Sequence, residues 1–222
     1  MTDVQTEIPV RWDPEPRWPA LIAIIAVAGL NFALPSALLV IPRWWFLAIV
    51  VALLIPTLIT HWKQYHTMNR IFGFMVSGVI TLGMIASVIL LIDALPEHKE
   101  TPAELLSSAA IIWATNVLVF SLWYWRLDAG GPHGRDARYG HHYGAFLFPQ
   151  MTLPPETKKK ANQLGWSPNF FDYLFLAFNT STAFSPTDVP VLERWAKLLM
   201  MVQSVISLTV LALLAARAVN IL

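Results

Sequence analysis

The stretch that decides the fold is 171–188, FDYLFLAFNTSTAFSPTD, in which an apolar, helix-like half runs directly into hydroxyl residues, a proline and an aspartate. Ser167-Pro168 precedes it, and a serine N-cap followed by proline is a typical helix start. A helix from 168 to about 181 would be ~21 Å long, whereas a membrane crossing needs about 30 Å. The stretch therefore predicts either a re-entrant half-helix, which enters the bilayer and returns, or a helix at the membrane interface.

The composition of the whole chain is that of a membrane protein. Of its 222 residues, 56% are hydrophobic and 13% are charged, whereas soluble domains carry about 25% charged residues. A net charge of +1 gives no reason to expect nucleic acid as a partner. The chain contains no cysteine, which excludes disulfides, thiolate catalysis and cysteine-ligated metals. The lipid bilayer is therefore the expected partner, and no cofactor is expected.

Five apolar stretches are long enough to span a bilayer, which needs about 20 residues. They cover about 19–41, 44–61, 71–93, 103–125 and 195–217. Thr101-Pro102-Ala103-Glu104 opens the fourth and predicts a capping box. The sequence thus predicts an all-α membrane protein with five transmembrane helices and one re-entrant or interfacial half-helix before the last span.

We divide the chain into four parts on this basis. A polar N-terminal tail (1–18) precedes a four-helix transmembrane region (19–125). A loop rich in Gly, Pro, His and basic residues (126–167) follows, and its apolar Ala145-Phe-Leu-Phe-Pro149 patch is a candidate for contact with the membrane surface. The last part (168–222) holds the half-helix, the hydroxyl-rich turn and the last transmembrane helix.

The basic residues predict the orientation. With five spans, the N-terminal tail, the 62–70 loop and the 126–167 loop share one side, which carries 12 of the 15 Lys and Arg residues. The positive-inside rule places this side in the cytoplasm and the C-terminus outside. We therefore expect an integral membrane protein whose N-terminus and 126–167 loop are cytoplasmic.

Polar side chains inside apolar spans are costly to bury and are candidates for function. Gln203 and Ser207 share one helical stripe of the last span. Such a stripe is typical of a pore lining or of a face hydrogen-bonded to a neighbouring helix, and we prefer the second interpretation. Asn116 in the fourth span likewise predicts an interhelical hydrogen bond.

The sequence predicts neither a metal site nor a catalytic site. His133, His141 and His142 lie near Asp136 and are side chains that bind zinc, but their spacing matches no zinc pattern. The spans offer no pair of carboxylates, no HExxH motif and no Ser–His pairing within one motif. We therefore expect the protein not to be an enzyme.

The order of span, half-helix, polar turn and span resembles the pore module of the potassium-channel superfamily. That module ends its pore helix in a Thr-rich filter closed by Gly-Tyr-Gly-Asp, and the corresponding stretch here is TSTAFSPTD, 180–188. The threonines and the aspartate fit, but the glycines that favour inward-facing carbonyls do not. The resemblance implies a pore module whose potassium filter has been lost or rebuilt.

The chain is also similar to a family of small, uncharacterised bacterial multi-pass membrane proteins. The stretches that carry this similarity are 125–132, 146–150, 171–188 and 215–222. The resemblance to this family implies an integral protein of the bacterial inner membrane and no particular activity.

Two hypotheses for function follow. The first is a channel-like pore for an inorganic ion, formed by a homo-oligomer, most simply a tetramer by analogy, because one half-helix cannot enclose a pore. The second is a non-conducting membrane scaffold or accessory subunit that binds a partner through its cytoplasmic loop. In the first, the constriction would be formed by Thr180, Ser181, Thr182, Ser185, Thr187 and Asp188, with Gln203 and Ser207 lining the path. A pore requires the 180–188 turns to face a shared axis, whereas a scaffold places them against their own bundle.

Overall fold

The computed structural model describes residues 14–94, 101–138, 140–141, 143–184 and 188–219. Their regular structure is helical, apart from one isolated bridge between Phe146 and Val191. This confirms the predicted all-α class. The α-helices of the described residues are α1 (Trp18–Ala33), α2 (Arg43–Trp62), α3 (His66–Ala94), α4 (Pro102–Leu127), α5 (Gly131–Asp136), α6 (Pro149–Thr152), α7 (Pro155–Lys160), α8 (Phe170–Ala183) and α9 (Arg194–Val219).

Within the described residues, four helices are long and apolar enough to cross a membrane, namely α2, α3, α4 and α9. The first of the five predicted spans, over 19–41, is not confirmed as a continuous helix. α1 ends at Ala33 after 16 residues, or ~24 Å. The cause is Pro35, which disfavours the helical conformation of the residue before it. Leu34 is accordingly extended, with φ −68° and ψ 145°.

The capping box predicted at the start of α4 is present. The Thr101 hydroxyl accepts a hydrogen bond from the Glu104 backbone N–H at 3.3 Å, and the Glu104 carboxylate accepts one from the Thr101 N–H at 2.9 Å. Two otherwise unpaired backbone groups are thereby satisfied at the helix start.

The long helices alternate in direction between two ends of the bundle. At one end, which we name the loop end, His133 lies after α4 and packs against His66 of α3 and His61 of α2. At the opposite end, Arg43 of α2 donates to the Leu34 carbonyl at 3.4 Å, and Ser87 of α3 donates to the Leu38 carbonyl at 2.9 Å. α1, α3 and α9 therefore run away from the loop end, and α2 and α4 run towards it.

α8 is a half-length helix that runs from the loop end into the bundle, in contact with α4 and α9. Phe170 packs edge-on against Trp125 near the end of α4, with ring centroids 6.0 Å apart. Two turns further on, Phe178 packs against Trp113 near the middle of α4, at 5.8 Å. The chain then returns to the 126–167 segment, where the Leu192 N–H donates to the Ala145 carbonyl at 2.8 Å. α9, like α8, consequently begins at the loop end.

The predicted N-cap of this helix, Ser167, is wrong. Asn169 is the N-cap, and its side chain accepts a hydrogen bond from the Phe171 N–H at 2.8 Å. Asp172 accepts one from the Asn169 N–H at 2.8 Å and completes a capping box. Asn is as strong an N-cap as Ser, and here it has an acid three residues later, so the helix begins after Pro168.

The apolar patch of the 126–167 segment is part of the core, so the expectation that it contacts the membrane surface is wrong. Phe146 and Phe148 are buried. The Phe146 ring packs against Tyr124 at 5.2 Å and Trp195 at 6.1 Å, and the Phe148 ring packs against Tyr173 at 5.5 Å. Aromatic rings from α4, α8 and α9 enclose this patch because its large apolar area is best removed from water between them.

The outer surface of the bundle is apolar. Ile22, Ile55, Leu82, Ile89 and Val205 are each more than half exposed. Soluble monomers rarely expose apolar patches of this extent. The surface therefore suits a hydrocarbon environment.

Candidate functional site

Gln203 is the centre of a buried polar cluster that joins α4, α8 and α9. Its amide nitrogen donates to the Ala177 carbonyl at 2.7 Å and to the Ser181 hydroxyl at 2.8 Å. Its amide oxygen accepts from the Tyr124 hydroxyl at 2.5 Å. Both functions of the amide are therefore occupied within one chain, and the side chain is fully buried.

Asn116 extends this cluster along α9. Its side-chain nitrogen donates to the Ser207 hydroxyl at 2.7 Å and to the Gln203 carbonyl at 3.2 Å. The interhelical hydrogen bond predicted for Asn116 is therefore present. We name Asn116, Tyr124, Ser181, Gln203 and Ser207 the polar node.

At the tip of α8, some hydroxyl residues lie in the interior and others lie on the surface. Thr180 is buried, and its hydroxyl donates to the Leu176 carbonyl of its own helix at 2.8 Å. Thr182 is exposed and donates to the Phe178 carbonyl at 3.0 Å, and Asp188 is also exposed.

The predicted constriction and path-lining residues consequently fall into three groups. Thr180, Ser181, Gln203 and Ser207 lie inside one chain, where helices of that chain surround them. Thr182 and Asp188 lie on its surface. Ser185 and Thr187 lie outside the described residues.

A second polar site, at the loop end, is built on the buried carboxylate of Asp128. Its oxygens accept from the Tyr173 hydroxyl at 2.6 Å and from the Ala145 N–H at 2.5 Å, and His141 Nε2 lies 3.6 Å away. Burial raises the pKa of the Tyr173 phenol well above its ordinary value, and the nearby Asp128 carboxylate raises this pKa further. The phenol therefore keeps its proton and donates a hydrogen bond to the carboxylate. This contact ties α8 to the end of α4.

Arg135 closes the same site from the other side. Its guanidinium donates to the carbonyls of Trp125 and Asp128 at 2.9 and 3.0 Å and to the Glu15 carboxylate at 2.9 Å. The Gly130-Gly131 turn, with φ of +82° and +78°, brings it there. A Cβ on Gly131 would lie 2.7 Å from the Arg126 carbonyl oxygen, so glycine is required at this reversal.

Ion pairs extend the site to the start of α1. Arg17 pairs with Glu15 at 3.2 Å and with Asp136. Sequence reasoning missed this network because its members are far apart in sequence. The available signal was the set of acids and arginines that flank spans one and four, including Glu15, Asp128 and Arg135.

The histidines considered as metal ligands lie in different surroundings. His133 contacts His66 and the Asn69 amide, whereas His141 lies beside Asp128 and packs against Trp166. Asp136 pairs with Arg17. In the part of the chain that the structure describes, no three His, Asp or Glu side chains are grouped to hold a metal ion; His142 lies outside that part.

The comparisons with known proteins found no match for this chain. The chain matches no family model, no curated protein and no solved structure. The fold and site therefore define the class by themselves: the described residues form helices, four of which are able to cross a membrane, and a half-helix packs against two of these four.

Proposed function

We propose that this chain is a non-conducting integral membrane protein, a scaffold or accessory subunit in which α8 is a packing element. The observation that carries the proposal is Gln203, whose amide makes three hydrogen bonds within its own chain. Ions in a selectivity filter are held by oxygens that replace the hydration shell. The Gln203 amide oxygen and the Ser207 hydroxyl oxygen already accept hydrogen bonds from Tyr124 and Asn116.

We propose five membrane crossings, with α1 and the 3-10 turn at Ser36–Leu38 making the first. The alternation of the five long helices between two ends supports this arrangement. α8 is then re-entrant, because the chain enters and leaves the bundle at the loop end. The basic residues favour the cytoplasm for this end, as expected for a bacterial inner-membrane protein.

The partner surface that we propose is the outer part of the 126–167 segment. Its inner part, around Phe146, is buried in the core. α7 lies outside the core and exposes Lys159 and Lys160. This charge fits an acidic partner segment.

A conducting oligomer is the second candidate. The exposure of Thr182 and Asp188 at the tip of α8 favours it, because a second copy of the chain could contact these residues. In a pore, they rather than the polar node would line the path. The resemblance to the potassium-channel pore module belongs to this candidate.

Ion flux into liposomes that contain the purified protein tests the proposal. We expect K⁺, Na⁺ and Cl⁻ fluxes equal to those of protein-free liposomes, for the wild type and for the double variant Thr182→Val, Asp188→Asn. The matched control is Glu193→Gln, which neutralises an exposed acid near the start of α9. A flux in the wild type that the double substitution changes and Glu193→Gln does not change would contradict the scaffold proposal and support the conducting oligomer.

A further inference from the structure

A cavity with basic walls lies at the loop end, between α3 and the end of α4. Its volume is about 220 Å³, and its polar lining includes His66, Asn69, Arg70, Arg126 and His133. Clefts for drug-sized ligands have roughly 300–1,000 Å³. The space therefore suits a compact anionic group.

Arg126 is a cation without a counter-ion at this cavity. Among the described residues, none forms an ion pair with its guanidinium and none accepts a hydrogen bond from it, although its Nε is buried. The guanidinium lies over Gly73 of α3, where any Cβ would collide with it. Arg126 is half-buried and its guanidinium lies over the Trp125 ring at 5.4 Å. A cation largely removed from water is costly unless an anion pairs with it.

The charges around the cavity are positive. Arg70 stacks on Phe74 at 5.5 Å and pairs with no acid of the described residues. The neighbouring acids Glu15 and Asp136 are already paired with Arg17 and Arg135. An anion entering the cavity would therefore meet at least two unpaired arginines, whose planar forks suit phosphate oxygens.

A second cavity adjoins the first and is mostly apolar. Its volume is about 200 Å³, and it shares Asn69, Arg126, Pro132 and His133 with the basic cavity. The rest of its lining comes mainly from apolar residues of α1 and α2, including Leu21, Ile24, Leu54 and Leu58.

The basic cavity lies at the expected depth of a lipid headgroup, and the apolar cavity adjoins it. Trp18 and Trp62 flank this end of the bundle and are 57% and 80% exposed. Exposed tryptophans of membrane proteins concentrate at the membrane–water interface.

We propose that the two cavities together bind one anionic phospholipid. Its phosphate pairs with Arg126 and Arg70, and one acyl chain lies between α1 and α2. This site goes beyond the proposed scaffold function and does not depend on it. A free phosphate has the same charged group, but it would leave the apolar cavity without an occupant.

Thermal unfolding of the purified protein, followed by tryptophan fluorescence in detergent, tests the site. The probes are phosphatidylglycerol, phosphatidylcholine and inorganic phosphate. We expect phosphatidylglycerol to raise the midpoint temperature in a saturable manner, and the other two to leave it unchanged. Removing one charge-assisted contact with Arg70→Gln should weaken the apparent affinity about tenfold. Lys63→Gln, which neutralises an exposed cation at the same end but outside both cavities, should leave it unchanged.

Gly73→Ala is the second variant, because it keeps every charge and displaces only the flexible end of Arg126. It should weaken phosphatidylglycerol binding about tenfold, with the lipid-free midpoint close to that of the wild type. Wild-type affinity in both Arg70→Gln and Gly73→Ala would overturn the site. Stabilisation by inorganic phosphate without stabilisation by phosphatidylglycerol would assign the pocket to a soluble phosphate and overturn the lipid.

Discussion

An amide side chain suits position 203 because it can donate and accept hydrogen bonds at the same time. It donates to Ala177 and Ser181 of α8 and accepts from Tyr124 of α4. Replacing it by leucine keeps most of its volume and removes three hydrogen bonds. Such bonds average about 0.6 kcal/mol in membrane proteins. We expect Gln203→Leu to lower the free energy of unfolding by ~2 kcal/mol, measured by denaturant unfolding in detergent.

Ser204→Ala is the control for this change. Ser204 is the next residue, and among the described residues its hydroxyl donates only to the Thr180 carbonyl, at a long 3.4 Å. Its loss should change the unfolding free energy by less than about 0.5 kcal/mol. Equal effects of the two substitutions would show that the polar node does not stabilise the packing of α8.

Tyr173 offers a second test at the residue scale. Its hydroxyl donates to the buried carboxylate of Asp128 at 2.6 Å, and a hydrogen bond to a charged group is worth about 1.5–3 kcal/mol. Tyr173→Phe should destabilise the protein by that amount in the same unfolding assay. Tyr143→Phe, on a ring that is 59% exposed, should have no measurable effect. A Tyr173→Phe protein as stable as this control would contradict an ionised, hydrogen-bonded Asp128.

For single residues, the sequence predicted the kind of interaction that a side chain needs but not the partner that supplies it. Asn116 indicated a hydrogen bond because an amide inside an apolar span must find a partner. Its partner could not be named, since Gln203 and Ser207 follow 87 and 91 residues later. Asp128 and Arg135 were not predictable as a buried pair, because in the sequence each is an ordinary loop charge and only the Gly130-Gly131 turn buries them together.

At the scale of elements, α8 is held in place by the aromatic patch that packs beneath it. Phe146 is fully buried between rings of α4, α8 and α9. We expect Phe146→Ala to cost about 3–5 kcal/mol of unfolding free energy. Phe171→Ala, on an α8 ring that is 54% exposed, should cost far less. Similar losses for both would mean that the 126–167 segment does not anchor the half-helix.

The extent of the elements was the most predictable feature. The half-helix has the predicted length of about 14 residues, since apolar periodicity and caps are local signals. The early end of α1 has an equally local cause in Pro35, which the hydrophobicity of 19–41 concealed. The burial of Phe146 has no local signal, because it depends on Val191 and Trp195, which lie more than 40 residues later.

For the whole molecule, the bundle and its two ends follow from the number and spacing of the apolar stretches. What the sequence could not decide is the surroundings of the α8 tip, since a turn rich in hydroxyls suits both water and a hydrogen-bonded interior. The structure places four of the eight predicted constriction and path-lining residues inside one chain and two on its surface. Whether lipid or water surrounds Thr182 and Asp188 therefore distinguishes the scaffold hypothesis from the pore hypothesis.

Because the chain has no cysteine, a single introduced thiol reports these surroundings directly. Thr182→Cys places it at the exposed tip of α8, and Thr152→Cys replaces an exposed threonine of the 126–167 segment. In reconstituted membranes, a charged thiol reagent supplied on both sides should modify Thr152→Cys rapidly. Thr182→Cys should react far more slowly, because a tip that contacts lipid excludes a charged reagent and lowers the ionisation of the thiol. Equal rates at the two positions would show that water reaches the tip and would favour the conducting oligomer.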